Sequence, residues 1–189
     1  NTIYVSTAKG LYALNSETGA LRWVFPTELP LGHSPTVADG VVYVGSYDHR
    51  LYALDAYTGQ PLWAYEGGSG FTTNPLVVEG KVILGNRDGY LYAVRMDGSL
   101  AWKFRTDGPV LFSAAYKDGV VYFASNDSHA YAVHIDGTQK WKSTKLPGGG
   151  FYSYWPVIYT QDGHDYVVLC GSNDYRTTGP ELGTASLMN

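Results

Sequence analysis

The aspartates Asp48, Asp88, Asp127 and Asp174, five histidines and one cysteine are the residues of this 189-residue chain best suited to acid–base, metal or thiol chemistry. General acid–base catalysis needs two groups converging in a pocket. These aspartates instead recur at one slot of a repeated pattern, each in a turn between two strand-like runs. A short carboxylate in a turn accepts hydrogen bonds from nearby backbone N–H groups, which explains the recurrence without catalysis. The histidines, His33, His49, His129, His134 and His164, share no slot in two repeats and show no metal-ligand spacing. His129 and His134 are an odd number apart and fall on opposite faces of a strand. Cys170 aligns with Val44, Leu84 and Phe123, an apolar slot that suits a buried thiol, and a lone cysteine forms no disulfide within the chain. Gly67–Gly70 and Gly148–Gly150 precede strand-like segments, whereas a phosphate loop opens a helix. No catalytic, cofactor-binding or metal-binding residue is assigned.

The elements that position these residues come from a repeat. Trp23, Trp63, Trp102 and Trp141 are separated by 40, 39 and 39 residues, and the segments between them align. Val41-Val-Tyr-Val-Gly-Ser46 matches Val82-Ile-Leu-Gly-Asn86, Val120-Val-Tyr-Phe-Ala-Ser125 and Val167-Val-Leu-Cys-Gly-Ser172. Leu11-Tyr-Ala-Leu14 matches Leu51-Tyr-Ala-Leu54, Leu91-Tyr-Ala-Val94 and Ala130-Tyr-Ala-Val133. Asp39-Gly40, Glu79-Gly80 and Asp118-Gly119 make one set of turns, and Thr18-Gly19, Thr58-Gly59, Asp97-Gly98 and Asp136-Gly137 another. Acidic-Gly pairs between apolar runs signal hairpins, because glycine accepts positive φ. Four hairpin-linked strands per unit of about 40 residues describe a propeller blade. The spacing predicts an all-β propeller arc of about four and a half blades, in units near 1–32, 33–71, 72–110, 111–150 and 151–189. Strands are expected near 33–38, 41–46, 50–55 and 61–66 and their repeats, with the first unit lacking its innermost strand.

Composition agrees. Aromatics reach 15% and glycines number 23, which suits short strands and many turns rather than helices. The net charge of −4 and the absence of any Lys/Arg cluster argue against nucleic acid and anionic membrane partners. The longest apolar runs, such as Val120–Ala124, are too short to span a bilayer. Both ends of the chain are read as cuts in a longer protein.

The stretch Ala53-Leu-Asp-Ala-Tyr-Thr-Gly-Gln-Pro-Leu-Trp63 resembles the tryptophan-docking motif of pyrroloquinoline-quinone-like (PQQ-like) repeat propellers. Ala13–Trp23 is similar with Asn15 in the acidic slot; the third and fourth units keep Ala93 with Trp102 and Ala132 with Trp141. The resemblance implies that Trp23, Trp63, Trp102 and Trp141 are structural docking residues lying across blade junctions, with each indole N–H on a turn carbonyl of the next blade. It also implies, for the family's enzymes, a bound quinone, a calcium ion, a catalytic carboxylate and adjacent cysteines, of which the last is absent here. The expectation is therefore a non-catalytic scaffold without a cofactor, similar to outer-membrane assembly lipoproteins and extracytoplasmic sensors. Two alternatives stand. One is a fragment of a quinone-dependent alcohol dehydrogenase whose catalytic residues lie elsewhere; the other is a structural repeat appended to another enzyme. The slot before the Ser-Pro-like pair varies between repeats, as His33, Thr73, Phe112 and Tyr154. With Tyr152 and Trp155 these residues form a candidate rim for a protein or small ligand, the plainer reading being channel filling. Further blades or a partner chain are expected to close the propeller.

Overall fold

Alternating apolar and polar residues between tight turns can pair only as short antiparallel strands, and that is what forms. The structure, a computed structural model, describes residues 1–147, 150–151, 156–171 and 184–187. Among these, every regular element is a strand. The first sheet is β1 (Thr2–Thr7), β2 (Gly10–Asn15) and β3 (Leu21–Pro26). The second is β4 (Thr36–Ala38), β5 (Val41–Gly45), β6 (Arg50–Asp55) and β7 (Pro61–Glu66). The third is β8 (Leu76–Val78), β9 (Lys81–Gly85), β10 (Tyr90–Arg95) and β11 (Leu100–Arg105). The fourth is β12 (Ala115–Lys117), β13 (Val120–Ser125), β14 (His129–His134) and β15 (Gln139–Lys142). The fifth comprises β16 (Val157–Gln161), β17 (His164–Cys170) and β18 (Thr184–Leu187). No helix among the described residues is long and apolar enough to cross a membrane.

In each sheet the strands lie side by side in chain order, so every blade is a meander. The short strands β4, β8, β12 and β16 lie against one another in succession, which places them innermost. Each spans fewer residues than the sequence suggests at its start, because residues 33–35 and 73–75 remain in the connecting loops. The first blade has no strand in that inner position among the described residues. The turns Asp39-Gly40, Glu79-Gly80 and Asp118-Gly119 hold both central residues at positive φ, the hairpin geometry that matches strand twist. Asp162-Gly163 repeats it, with φ of 51° and 76°. The fifth hairpin is longer, five residue pairs between β16 and β17 against three between β4 and β5, and Val167 and Leu169 face the fourth junction as Val42 and Val44 face the first, so Leu169 rather than Cys170 stands in the slot of Val44. The side chain of Cys170 lies outside the described residues.

The core lies between sheets, one cluster per junction. Leu11 meets Val42, Val44 and Leu54; Tyr43, Leu51 and Phe71 meet Val82 and Leu84; Leu91 and Val110 meet Val121 and Phe123. Phe112 and Ala130 meet Phe151, Val167 and Leu169. A single blade has both faces apolar and buries them only by stacking, so the junctions carry the stability of the arc.

Candidate functional site

Two sets of polar and aromatic residues recur in every complete blade, and their geometry decides what remains free for chemistry. The first is the outer dock. In each blade an alanine of the third strand sits opposite the tryptophan of the outer strand: Ala13–Trp23, Ala53–Trp63, Ala93–Trp102 and Ala132–Trp141. The register slips by one residue just after each alanine, a bulge that re-aims the outer strand. All four alanines are buried, which leaves room for the ring beside them. The indole of Trp23 then donates to the carbonyl of Ala56 in the next blade at 3.1 Å; Trp63 donates to Met96 and Trp102 to Ile135, both at 2.9 Å. The turn glycines form the floor. A Cβ on Gly59 would lie 2.6 Å from the ring of Trp23, and Gly98 and Gly137 approach Trp63 and Trp102 nearly as closely. Trp141 packs against the fourth junction beside Tyr122, with ring centres 6.1 Å apart.

The second set is an acidic clamp on the turn between the second and third strands. Asp48 accepts the backbone N–H of Arg50 at 3.0 Å with one oxygen and the hydroxyl of Tyr52 at 2.7 Å with the other. Asp88 does the same with Tyr90 and Tyr92, and Asp127 with His129 and Tyr131. Burial of Asp127 opposes its ionised form, but the Tyr131 hydroxyl and the backbone N–H groups of Asp107 and His129 outweigh it and hold the carboxyl below its ordinary value. Burial, reinforced by the carboxylate as hydrogen-bond partner, pushes the phenols of Tyr92 and Tyr131 well up. The tyrosine four residues after each aspartate was not singled out from the sequence, although the spacing is regular. Asp174 lies outside the described residues.

The candidate rim comes apart in the structure. His33 is exposed on the loop before β4. Thr73 is buried, and its hydroxyl accepts the N–H of Gly85 at 2.8 Å, so it closes a backbone vacancy instead of facing a ligand. Phe112 is buried in the fourth junction, edge-on to Phe151 with ring centres 5.9 Å apart. Thr73 and Phe112 are therefore core residues and leave the rim, because the loop turns them inward between blades. Tyr152, Tyr154 and Trp155 lie outside the described residues. Sequence reasoning missed Leu31, Phe71, Val110 and Phe151, buried residues that plug the inner end of each junction; their spacing of about one repeat was the available signal.

Elsewhere, an open cleft of about 440 Å³ lies where the Arg87–Gly89 turn meets the loop from Arg105 to Pro109. Neither Arg87 nor Arg105 has a carboxylate within ion-pair distance among the described residues, and Asp107 is held by Lys142 at 3.2 Å. No three His, Cys, Asp or Glu side chains converge among the described residues. A quinone with calcium requires converging carboxylates and an apolar slot. Asp48, Asp88 and Asp127 each have both oxygens engaged in their own turn, and the indoles of Trp23, Trp63 and Trp102 lie between blades. The described residues do not fit that pair.

Comparison with known proteins agrees with this architecture. A family profile described as outer membrane protein assembly factor BamB matches residues 1–96 and 68–153. No curated protein matches the chain in a direct search. Among solved structures, BamB from Moraxella catarrhalis superposes with a TM-score of 0.67 at 19% identity, over 89% of this chain and 60% of that one. The quinohemoprotein alcohol dehydrogenase ADHIIG from Pseudomonas putida HK5 superposes with a TM-score of 0.71 at 24% identity, over 90% of this chain and 37% of that one. The computationally designed protein Ika8 gives 0.71 at 14% identity, over 88% of this chain and 52% of that one. The chain thus spans only part of each of these relatives, and the likeness at such identities is one of fold. With the profile covering most of the sequence and the docks repeated in register, the chain belongs to the PQQ-like β-propeller family whose profile is described as outer membrane protein assembly factor BamB.

Proposed function

We propose that this chain is a non-catalytic, extracytoplasmic propeller arc that binds a protein or a small ligand at the mouth of its channel. His33, Tyr152, Tyr154 and Trp155 are the contact residues of that reading. The observation that carries it is the engagement of the repeat's chemistry-bearing groups in framework contacts: Asp48, Asp88 and Asp127 in their turns, and Trp23, Trp63 and Trp102 at their docks. The family description, which names outer membrane protein assembly, supports a scaffolding role outside the cytoplasm. Aromatic residues at a rim supply contact area at low conformational cost.

A second reading is an arc of a quinone-dependent alcohol dehydrogenase whose catalytic residues lie outside these 189 residues. The fold likeness to ADHIIG, of which this chain covers 37%, favours it. Two experiments separate the readings. Titration with pyrroloquinoline quinone and calcium, followed by tryptophan fluorescence and dye-linked alcohol oxidation, is expected to give neither saturable quenching nor turnover. Micromolar quenching with turnover would establish the dehydrogenase instead. A photo-crosslinking residue at His33 in cells is expected to give a discrete adduct, while the same residue at Tyr57, exposed on an outer turn, gives none. Equal labelling at both, or none at either, removes the rim from the account.

A further inference from the structure

The chain has no run of basic residues, yet the fold brings three cations together on the third blade. Arg87 stands on the turn between β9 and β10. Lys103 and Arg105, two residues apart, share one face of β11. Across the ladder Arg105 pairs with Tyr90 and Lys103 with Tyr92. All three cations are exposed, and Arg87 and Arg105 line the open cleft of about 440 Å³. The neighbouring blades neutralise the same slots. In the second blade Glu66 holds the slot of Arg105 and pairs with Arg50 at 3.7 Å, whereas Tyr90 stands where Arg50 stands. In the fourth blade Lys142 holds the slot of Lys103 and lies 3.2 Å from Asp107. The place of Asp107 beside Lys103 is taken by Gly68: the N–H of Gly67 donates to His49 and that of Thr106 to Gly89, which fixes the correspondence of the two loops. Arg87, Lys103 and Arg105 have no carboxylate within ion-pair distance among the described residues.

Two carboxylates also line the cleft, and both are engaged elsewhere. Asp88 accepts the N–H of Tyr90 and the hydroxyl of Tyr92, and Asp107 turns to Lys142. Aromatic rings hold two of the cations in place. The Lys103 ammonium lies 4.5 Å from the centre of the Tyr90 ring, and the Arg87 guanidinium 6.0 Å from that of Tyr47. A cation placed by a ring loses less freedom when it binds. The cleft is thus a local reversal of charge on a chain of net charge −4. Guanidinium groups pair with carboxylates through two parallel N–H···O bonds. An open, polar cleft encloses too little of a small molecule, whereas an extended chain can lay successive acidic side chains along it. Three cations fall short of the long basic stripe that a nucleic acid requires. We infer that this cleft binds an acidic peptide segment of a partner protein, with Arg87 and Arg105 each taking a carboxylate and Lys103 adding charge beside them. The inference does not rest on the channel-mouth residues proposed above.

Fluorescence anisotropy of a labelled hexaglutamate peptide at low salt tests this, with hexaglutamine as the control. Arg87→Asn and Arg105→Glu each install the residue that a neighbouring blade carries in that slot, Asn126 and Glu66, so the melting midpoint should stay within about 2 °C. Hexaglutamate should bind saturably, more weakly as salt is added, and hexaglutamine should not bind. Each arginine substitution should weaken hexaglutamate about tenfold or more, and Lys103→Gln about threefold. Arg50→Gln removes a charge that Glu66 already pairs and should change the affinity less than about twofold. In NMR spectra hexaglutamate should shift the amides of Gly89 and Gly108, which line the cleft. Absence of saturable binding, equal binding of hexaglutamine, or an affinity indifferent to both arginine substitutions would overturn the inference. So would tighter binding of oligothymidylate or of phosphatidylglycerol vesicles that the same substitutions abolish, since the cleft would then be one for phosphate.

Discussion

At the outer end of the blade junctions one contact is used three times: an indole over a glycine, with its N–H on the carbonyl of the next turn. At the inner end the corresponding loops carry Leu31 and His33, Phe71 and Thr73, and Val110 and Phe112, and each pair sits differently. His33 faces solvent, Thr73 accepts a backbone N–H, and Phe112 fills the space beside Phe151. The difference shows how repetition constrains sequence. A hydrogen-bonded indole has one geometry, so the residues around it recur. A dispersion-packed gap can be filled in several ways, so its residues drift. Variation between repeats at such a slot reflects packing freedom as readily as ligand choice, and at Thr73 and Phe112 it reflects packing.

This contrast can be broken by substitution, starting where the effect is largest. Trp63→Ala removes a dock and should destabilise by about 3–5 kcal/mol in chemical denaturation. Phe112→Ala should cost about the same, because the ring lies wholly inside the fourth junction; a loss below about 0.5 kcal/mol would return Phe112 to the rim. Tyr131→Phe strips Asp127 of its phenolic donor and should cost about 1–3 kcal/mol. The clamp also has a pH signature. Asp127 titrates lower folded than unfolded, so its contribution is complete above the unfolded value near 3.8 and fades as pH falls through the lower folded value. Asp127→Asn should therefore flatten the acid limb of the stability curve below about pH 4 while leaving its shape above pH 6 intact. Thr73→Val leaves the Gly85 N–H without its acceptor and should cost about 1–2 kcal/mol. His33→Ala should change stability by less than about 0.5 kcal/mol, and a larger loss would mean that the exposed inner loop also carries the fold.

The framework was legible because it is periodic. Tryptophans at a spacing of 39 or 40 residues, acidic-Gly turns and a Leu-Tyr-Ala-Leu core strand announce blades. The second role of the turn glycines was not legible: Gly59, Gly98 and Gly137 read as turn formers, and only the approach of an indole from the preceding blade shows why a side chain is excluded there. The Asp–Tyr clamp was half legible, since the aspartates stand out while their tyrosine partners lie inside a core strand. The rim was misread at Thr73 and Phe112 because alignment locates a slot along the chain but does not tell which way a loop turns it. Cys170 was placed one residue off because the fifth blade has longer inner strands, so the buried pair there is Val167 and Leu169.

The central claim is that indole–carbonyl docks hold the blades together, and the indole protons report on it directly. Hydrogen exchange of the tryptophan Nε1–H groups, followed by NMR on the intact chain, isolates them from every other contact. The protons of Trp23, Trp63 and Trp102 should exchange only as fast as the whole arc unfolds, and should accelerate together when denaturant is added. Exchange of those three at the rate of a solvent-exposed indole, while the strand amides stay protected, would contradict the account.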